Sequence, residues 1–277
     1  MRRRPGISLL EVLIAIFVMA IGMLALLTLF PVGALSMAQA IKDNRAAQSA
    51  MAADAYARAM SLKTDANVSQ YLTSNQIVYC DPFGVNFGLT SKIGGINRVA
   101  PSTVTSQALT IRQFSVLDDI VFDSNGTPQL SGGKLQRFNR ITWAYLLRAP
   151  SLALTGVSVN SVPVPMSIVV YNNRPLVPPP NETNDTYSAS GGSNYADPTG
   201  VTLSPANPPG TWPPAVRAGS WILGIGDTNT SFYRVVSVSN PVNNTLQIEL
   251  QTPVQANNLS QVIVMEYVIE VFERKPL

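Results

Sequence analysis

Residues 12–41 contain no Asp, Glu, Lys or Arg. Wound as an α-helix at about 1.5 Å per residue they reach about 45 Å, more than the roughly 30 Å hydrocarbon core of a bilayer. Between Pro5 and Lys42 a single charge interrupts the run, the carboxylate of Glu11. An acid at the edge of a lipid-length helix is expensive to keep there, which makes it a functional candidate. Ahead of it stands Met1-Arg2-Arg3-Arg4-Pro5-Gly6, a cationic head that the positive-inside bias holds in the cytoplasm, placing the rest of the chain across the membrane. Pro31 and Gly33 lie inside the run, and a proline removes one i to i−4 bond, so a kink or short unwound stretch is expected there.

The net charge of +3 and pI near 9.1 suggest phosphate or membrane binding, but the excess resides in the head. Without Arg2, Arg3 and Arg4, 16 basic side chains face 16 acidic ones. The body has no global pull on nucleic acid. Histidine is absent, so Ser-His and Cys-His nucleophilic pairs are excluded along with the commonest metal ligand. The lone Cys80 permits no intrachain disulfide and no cysteine zinc cluster, and reads as a small buried side chain.

Beyond Lys42 the pattern becomes alanine-rich and amphipathic, with Ala46, Ala47, Ala50, Ala52, Ala53, Ala55, Tyr56, Ala59 and Met60 broken by Lys42, Asp43, Arg45, Asp54 and Arg58. Alanine and long charged residues favour helix, which extends the prediction to about Leu62. From residue 63 the period changes to two. Strands are predicted at 76–79, 109–117, 120–123, 138–147, 167–171, 220–225, 232–239, 245–250 and 261–272. In the last, Ile263, Met265, Tyr267, Ile269 and Val271 share one face, with Glu266 and Glu270 on the other. Asn240-Pro241-Val242-Asn243-Asn244 and Ser124-Asn125-Gly126 read as turns. Residues 172–218 hold ten of the 21 prolines and read as a long irregular surface insertion. The fold class is therefore α+β: a leader at 1–6, a long helix at 7–62 whose first part spans the membrane, and a β-rich antiparallel head at 63–277.

Gly6-Ile7-Ser8-Leu9-Leu10-Glu11-Val12-Leu13 resembles the processing site of the type IV prepilin and pseudopilin superfamily. The resemblance covers roughly residues 1–40. It implies cleavage between Gly6 and Ile7 by a prepilin peptidase, N-methylation of Ile7, and a role for Glu11 in assembly. It also implies a single-pass inner-membrane subunit with its head in the periplasm or outside the cell, and no cofactor. The partners it implies are the lipid bilayer, other pilin or pseudopilin subunits and an inner-membrane assembly platform. The family most often has Phe where Ile7 stands and often Thr where Ser8 stands, which directs the reading to a minor pilin or minor pseudopilin. The chemistry agrees: a cleaved Ile7 bears an ammonium that the Glu11 carboxylate of a neighbouring subunit can neutralise, fixing axial register.

Weaker candidates lie in the head. Asp118, Asp119, Asp123 and Asn125 offer oxygens for calcium, which some pseudopilins bind, but their spacing fits no complete calcium loop and Ser124-Asn125-Gly126 is an ordinary turn signature. Trp143 and Tyr145 share a strand face and read as core. Carboxylate pairs such as Asp118/Asp119 or Glu266/Glu270 would be needed for a tethered hydrolase, the enzyme alternative. A filament-tip adhesin or other ligand-binding head, and a simple membrane-tethered domain, are the other rivals.

Overall fold

The computed structural model describes residues 9–89, 91–116, 121, 124–127, 129–131, 134–135, 141–149, 161–174, 186–205, 216–227, 229–242 and 245–277. The chain divides into two compact units, Met1–Arg45 and Ala46–Leu277, so the boundary falls inside the long helix rather than at its end.

In the first unit, helix α1 (Leu9–Ala59, 51 residues) starts its run. Helical structure continues through Pro31 and Gly33, so the unwound stretch expected there is not formed. One missing N–H leaves the other i to i−4 bonds in place, and apolar side chains offer no competing partners for the backbone. The large apolar side chains described in this unit are exposed, Leu10 and Phe17 at 66% and Leu27 at 70%.

The second unit opens with the remainder of α1. Ala46, Ala50, Ala53 and Ala57 are at most 1% exposed, and their spacing of four, three and four puts all four methyls on one stripe. Such short side chains let a sheet approach the helix backbone closely, and the Tyr145 hydroxyl donates to the Ala53 carbonyl at 2.8 Å. A 3-10 turn (Leu62–Thr64) and helix α2 (Ala66–Thr73) follow, the latter capped by Asp65, which accepts from the Asn67 N–H. Next come β1 (Val78–Cys80), α3 (Pro82–Asn86), β2 (Lys92–Ile93), β3 (Ile96–Val99) and α4 (Gln107–Phe114). The last replaces the strand expected at 109–117. Ser106 caps it by accepting from Leu109 N–H, and its buried residues Thr110 and Phe114 lie four apart, a helical spacing.

A short ribbon pairs β4 (Leu130–Ser131) with β5 (Lys134–Leu135). The remaining strands are β6 (Ile141–Leu147), β7 (Met166–Asn172), β8 (Thr186–Ser190), β9 (Gly200–Pro205), β10 (Trp221–Gly226), β11 (Thr230–Val238), β12 (Leu246–Leu250), β13 (Leu259–Met265) and β14 (Val268–Arg274). Six strands form an open sheet in the order β14-β7-β6-β1-β3-β2, antiparallel except for the parallel β1/β3 pair. Six others close an antiparallel barrel, β10-β11-β12-β9-β8-β13. Closure removes the exposed edges that short strands would otherwise present.

Two strands of that barrel, β8 and β9, come from the stretch read as an irregular insertion, so 172–218 is structural; its parts at 175–185 and 206–215 lie outside the described residues. The expected strand at 120–123 lies largely outside them as well. The strand at 261–272 is two strands. Tyr267, at φ 63°, turns the chain out of the barrel and into the sheet. A register shift between Val268 and Glu270 then sends Ile269 to the opposite face from Val271, so the single apolar face expected of Ile263 to Val271 does not exist.

The unit has three layers. Val78, Trp143, Tyr145, Ile168 and Val170 face the alanine stripe of α1, with Phe114 stacked edge-on against Tyr56 at 5.2 Å. The other face of the sheet, with Tyr79, Ala144, Leu146 and Val169, meets Leu223, Phe232 and Ile263 of the barrel. All seven residues of β6 are buried because both its faces are covered. Leu203, Ile222, Tyr233, Ile248 and Val262 fill the barrel interior.

Candidate functional site

Glu11 occupies the first turn of α1, where the partial positive charge of unsatisfied N–H groups favours an acid. Gly6 and Ile7, the expected processing pair, lie outside the described residues. From Leu9 to Ile41 the exposed side chains are apolar almost without break: Val12, Leu13, Ile14, Phe17, Ile21 and Leu24 stand at 47–66% exposure. The helix is long and apolar enough to cross a membrane, and the most apolar part of it buries nothing within the protein. Residues 1–27 match the family model of the prokaryotic N-terminal methylation motif.

The amino terminus is a type IV pilin-like prepilin segment. Such a prepilin segment is a prepilin-peptidase substrate, and its apolar helix fits a single-pass membrane anchor. No curated protein and no solved structure matches the chain.

Among the described residues the other expected candidates are not assembled into a site. Asp118, Asp119 and Asp123 lie outside the described residues, while Asn125 sits in a turn completed by Gly126 at φ +76°. The Gln129 N–H donates to the Val121 carbonyl at 2.7 Å across that loop. Among the described residues no group of three His, Cys, Asp or Glu side chains is placed to hold a metal. Glu266 lies in the turn between β13 and β14, and Glu270 lies on β14 with its carboxylate 3.9 Å from Arg234, so the two are not a facing strand pair. Trp143 and Tyr145 are core, 5% and 0% exposed. Cys80 is fully buried; burial first, and then the neighbouring Asp81 charge, push its thiol well above the ordinary range.

One cluster was not singled out from the sequence. Asp81, between β1 and α3, is wholly buried yet charged. Its two oxygens accept from Arg174 at 2.8 and 2.7 Å, Arg98 lies 3.3 Å away, and the Gly84 N–H donates to it at 3.0 Å. Burial opposes ionisation, but the Arg174 charge and hydrogen bonds, then Arg98, outweigh it and hold the carboxyl below its usual value. Arg174 also lies over the Tyr171 ring, 4.4 Å from its centroid, and the Tyr171 and Tyr79 hydroxyls are hydrogen-bonded to each other. Burial pushes Tyr171 up to about 12. A Cβ on Gly84 would come within 2.4 Å of the Asp81 carboxylate, so glycine is required by the close approach. The cluster ties the start of α3 to the ends of β3 and β7. With every charge engaged internally, it reads as architecture rather than chemistry.

Proposed function

We propose that this protein is a non-catalytic structural subunit, a minor pilin or minor pseudopilin, of a type IV pilus or type II secretion filament. The observation that carries the reading is the coincidence of the methylation motif at 1–27 with a helix whose apolar side chains find no cover within the protein. Cleavage after Gly6 leaves Ile7 as a cationic terminus, four residues before Glu11. In a bundle of parallel helices the Glu11 of one subunit neutralises the terminus of the next, and the attraction at about 4 Å amounts to several kcal/mol at an effective dielectric near 20. The apolar surface exchanges lipid for sister helices, so the chain leaves the membrane without wetting it. The head stands on the far side from the arginine leader, in the periplasm or outside the cell.

The test is assembly. Glu11→Ala should leave the protein in the membrane fraction and reduce its recovery from sheared filaments by about a hundredfold or more, since removing one member of a desolvated pair costs about 3–5 kcal/mol and each 1.4 kcal/mol is tenfold. Equal recovery of the variant would refute the charge-pairing account.

A further inference from the structure

A second feature of the head concerns ligand recognition and stands whether or not the filament reading does. Between the barrel strands β10 and β11 and the sheet strand β14 lies a cleft of about 380 Å³. That volume falls within the range of small-ligand sites, roughly 300–1,000 Å³. Trp221 and Phe232 supply apolar wall, and the Trp221 indole is pinned by donating to the Ile269 carbonyl at 3.3 Å. The remaining lining is planar and polar, and it is pre-arranged. Arg148, just past β6, donates to Glu273 at 2.6 Å, to Ser167 at 3.2 Å and to Ser231 at 3.2 Å. Ser167 in turn donates to the second Glu273 oxygen at 2.7 Å. Gln255 accepts through its Oε1 from Asn229 at 2.8 Å and Ser231 at 3.2 Å, and its backbone N–H donates to the Tyr233 hydroxyl at 3.0 Å. These bonds use the acceptor half of the carboxamide and leave its NH2 as the donor half.

We propose that this cleft binds a saccharide, an uncharged hydroxyl-rich ligand of one or two rings. The charge balance selects against a simple anion: of the two guanidiniums in the lining, Arg148 is bonded to Glu273 and Arg234 lies 3.9 Å from Glu270, so each has a carboxylate beside it that would repel an anion. A purely apolar ligand would strand the guanidinium, carboxylate and amide groups. A ring of hydroxyls satisfies both signs, since each hydroxyl donates to Glu273 and accepts from Arg148, Arg234 or Gln255. The apolar C–H face of such a ring has Trp221 and Phe232 to cover it.

The test uses the full chain in a zwitterionic detergent that lacks a sugar headgroup. A panel of neutral and acidic glycans is screened, and free mono- and disaccharides that score are titrated while the Trp221 indole N–H resonance is followed. The expected result is a neutral saccharide binding at or below about 1 mM. Arg234→Ala and Gln255→Ala, both at solvent-accessible positions, should weaken it by about tenfold or more, the loss that one or two hydrogen bonds carry. Circular dichroism should show both variants folded. Where a variant does not fold, the Trp221 resonance of the natural chain decides: movement on saccharide titration supports the site, and its absence overturns it. Binding weaker than about 10 mM for every glycan, or binding that both folded variants leave unchanged, would also overturn it. Displacement by inorganic phosphate would refute the charge argument.

Discussion

Replacing Asp81 by Asn removes a charge while keeping size and the acceptor for Gly84 N–H, so the helix cap of α3 survives and the change isolates electrostatics. In the natural chain the Asp81 side chain and Arg98 are both 0% exposed, and Arg174 is 10% exposed. Asp81→Asn leaves two guanidiniums in the interior with no carboxylate, and breaking a buried pair in this way costs about 3–5 kcal/mol. For a unit of this size each kcal/mol shifts the melting temperature by about 2–4 °C, which gives a drop of roughly 6–20 °C. The surface pair Arg58–Asp54, at 3.0 Å with side chains 41% and 28% exposed, is the control; Asp54→Asn should cost at most about 1 kcal/mol. Thermal unfolding of the full chain in micelles, followed by circular dichroism at pH 7, reads both. The pH dependence follows from the lowered carboxyl of Asp81. The unfolded chain takes up its proton near pH 3.9 and the folded chain only below that. The stabilisation is therefore complete above about pH 5 and lost as pH falls through the folded value. Asp81→Asn should flatten that acid limb. A melting temperature within about 2 °C of the natural chain, at pH 7, would refute the reading of the cluster as a structural tie.

Further outcomes follow from other parts of the head. Ala53→Leu places a branched side chain in a stripe with no exposure, and overpacking there should cost about 1–3 kcal/mol by the same melting assay. Gly192→Ala would bring a Cβ within 2.1 Å of the Asn257 carbonyl, at φ +153°, and should destabilise the barrel by at least about 1–3 kcal/mol, seen as faster amide exchange in β8 and β13. Calcium chelation should leave the melting temperature of the full chain unchanged, since the spacing of Asp118, Asp119, Asp123 and Asn125 fits no complete calcium loop and Ser124-Asn125-Gly126 reads as a turn; a fall of more than about 5 °C would restore the calcium site.

The long helix and most strands were legible because their signals are local: an uncharged run, an alanine-rich amphipathic stretch, and β-branched and aromatic runs in β6, β7 and β10 to β12. The barrel was not. Its strands β8 and β9 are short, flanked by proline, and drawn from Ser, Thr and Gly, so composition suggests loop while pairing with β12 and β13 makes strand. The split of 261–272 was hidden because alternation continues through Glu266 and Tyr267, and only a left-handed residue reveals the turn. Helix α4 was misread because Ile111 and Thr110 are β-branched, yet capping by Ser106 and burial of Phe114 outweigh that weak preference. At the amino terminus the motif itself was plain, since it is linear. The Asp81 cluster and the saccharide cleft join residues more than 90 positions apart, Asp81 with Arg174 and Arg148 with Glu273, and no linear pattern announces such pairs.

The decisive measurement is the chemical identity of the amino terminus in protein taken from the membranes or filaments of its native host. Mass analysis of the terminal peptide should give N-methylated isoleucine beginning at Ile7. A terminus at Met1, or one created by cleavage further along the apolar helix, would contradict a processed filament subunit.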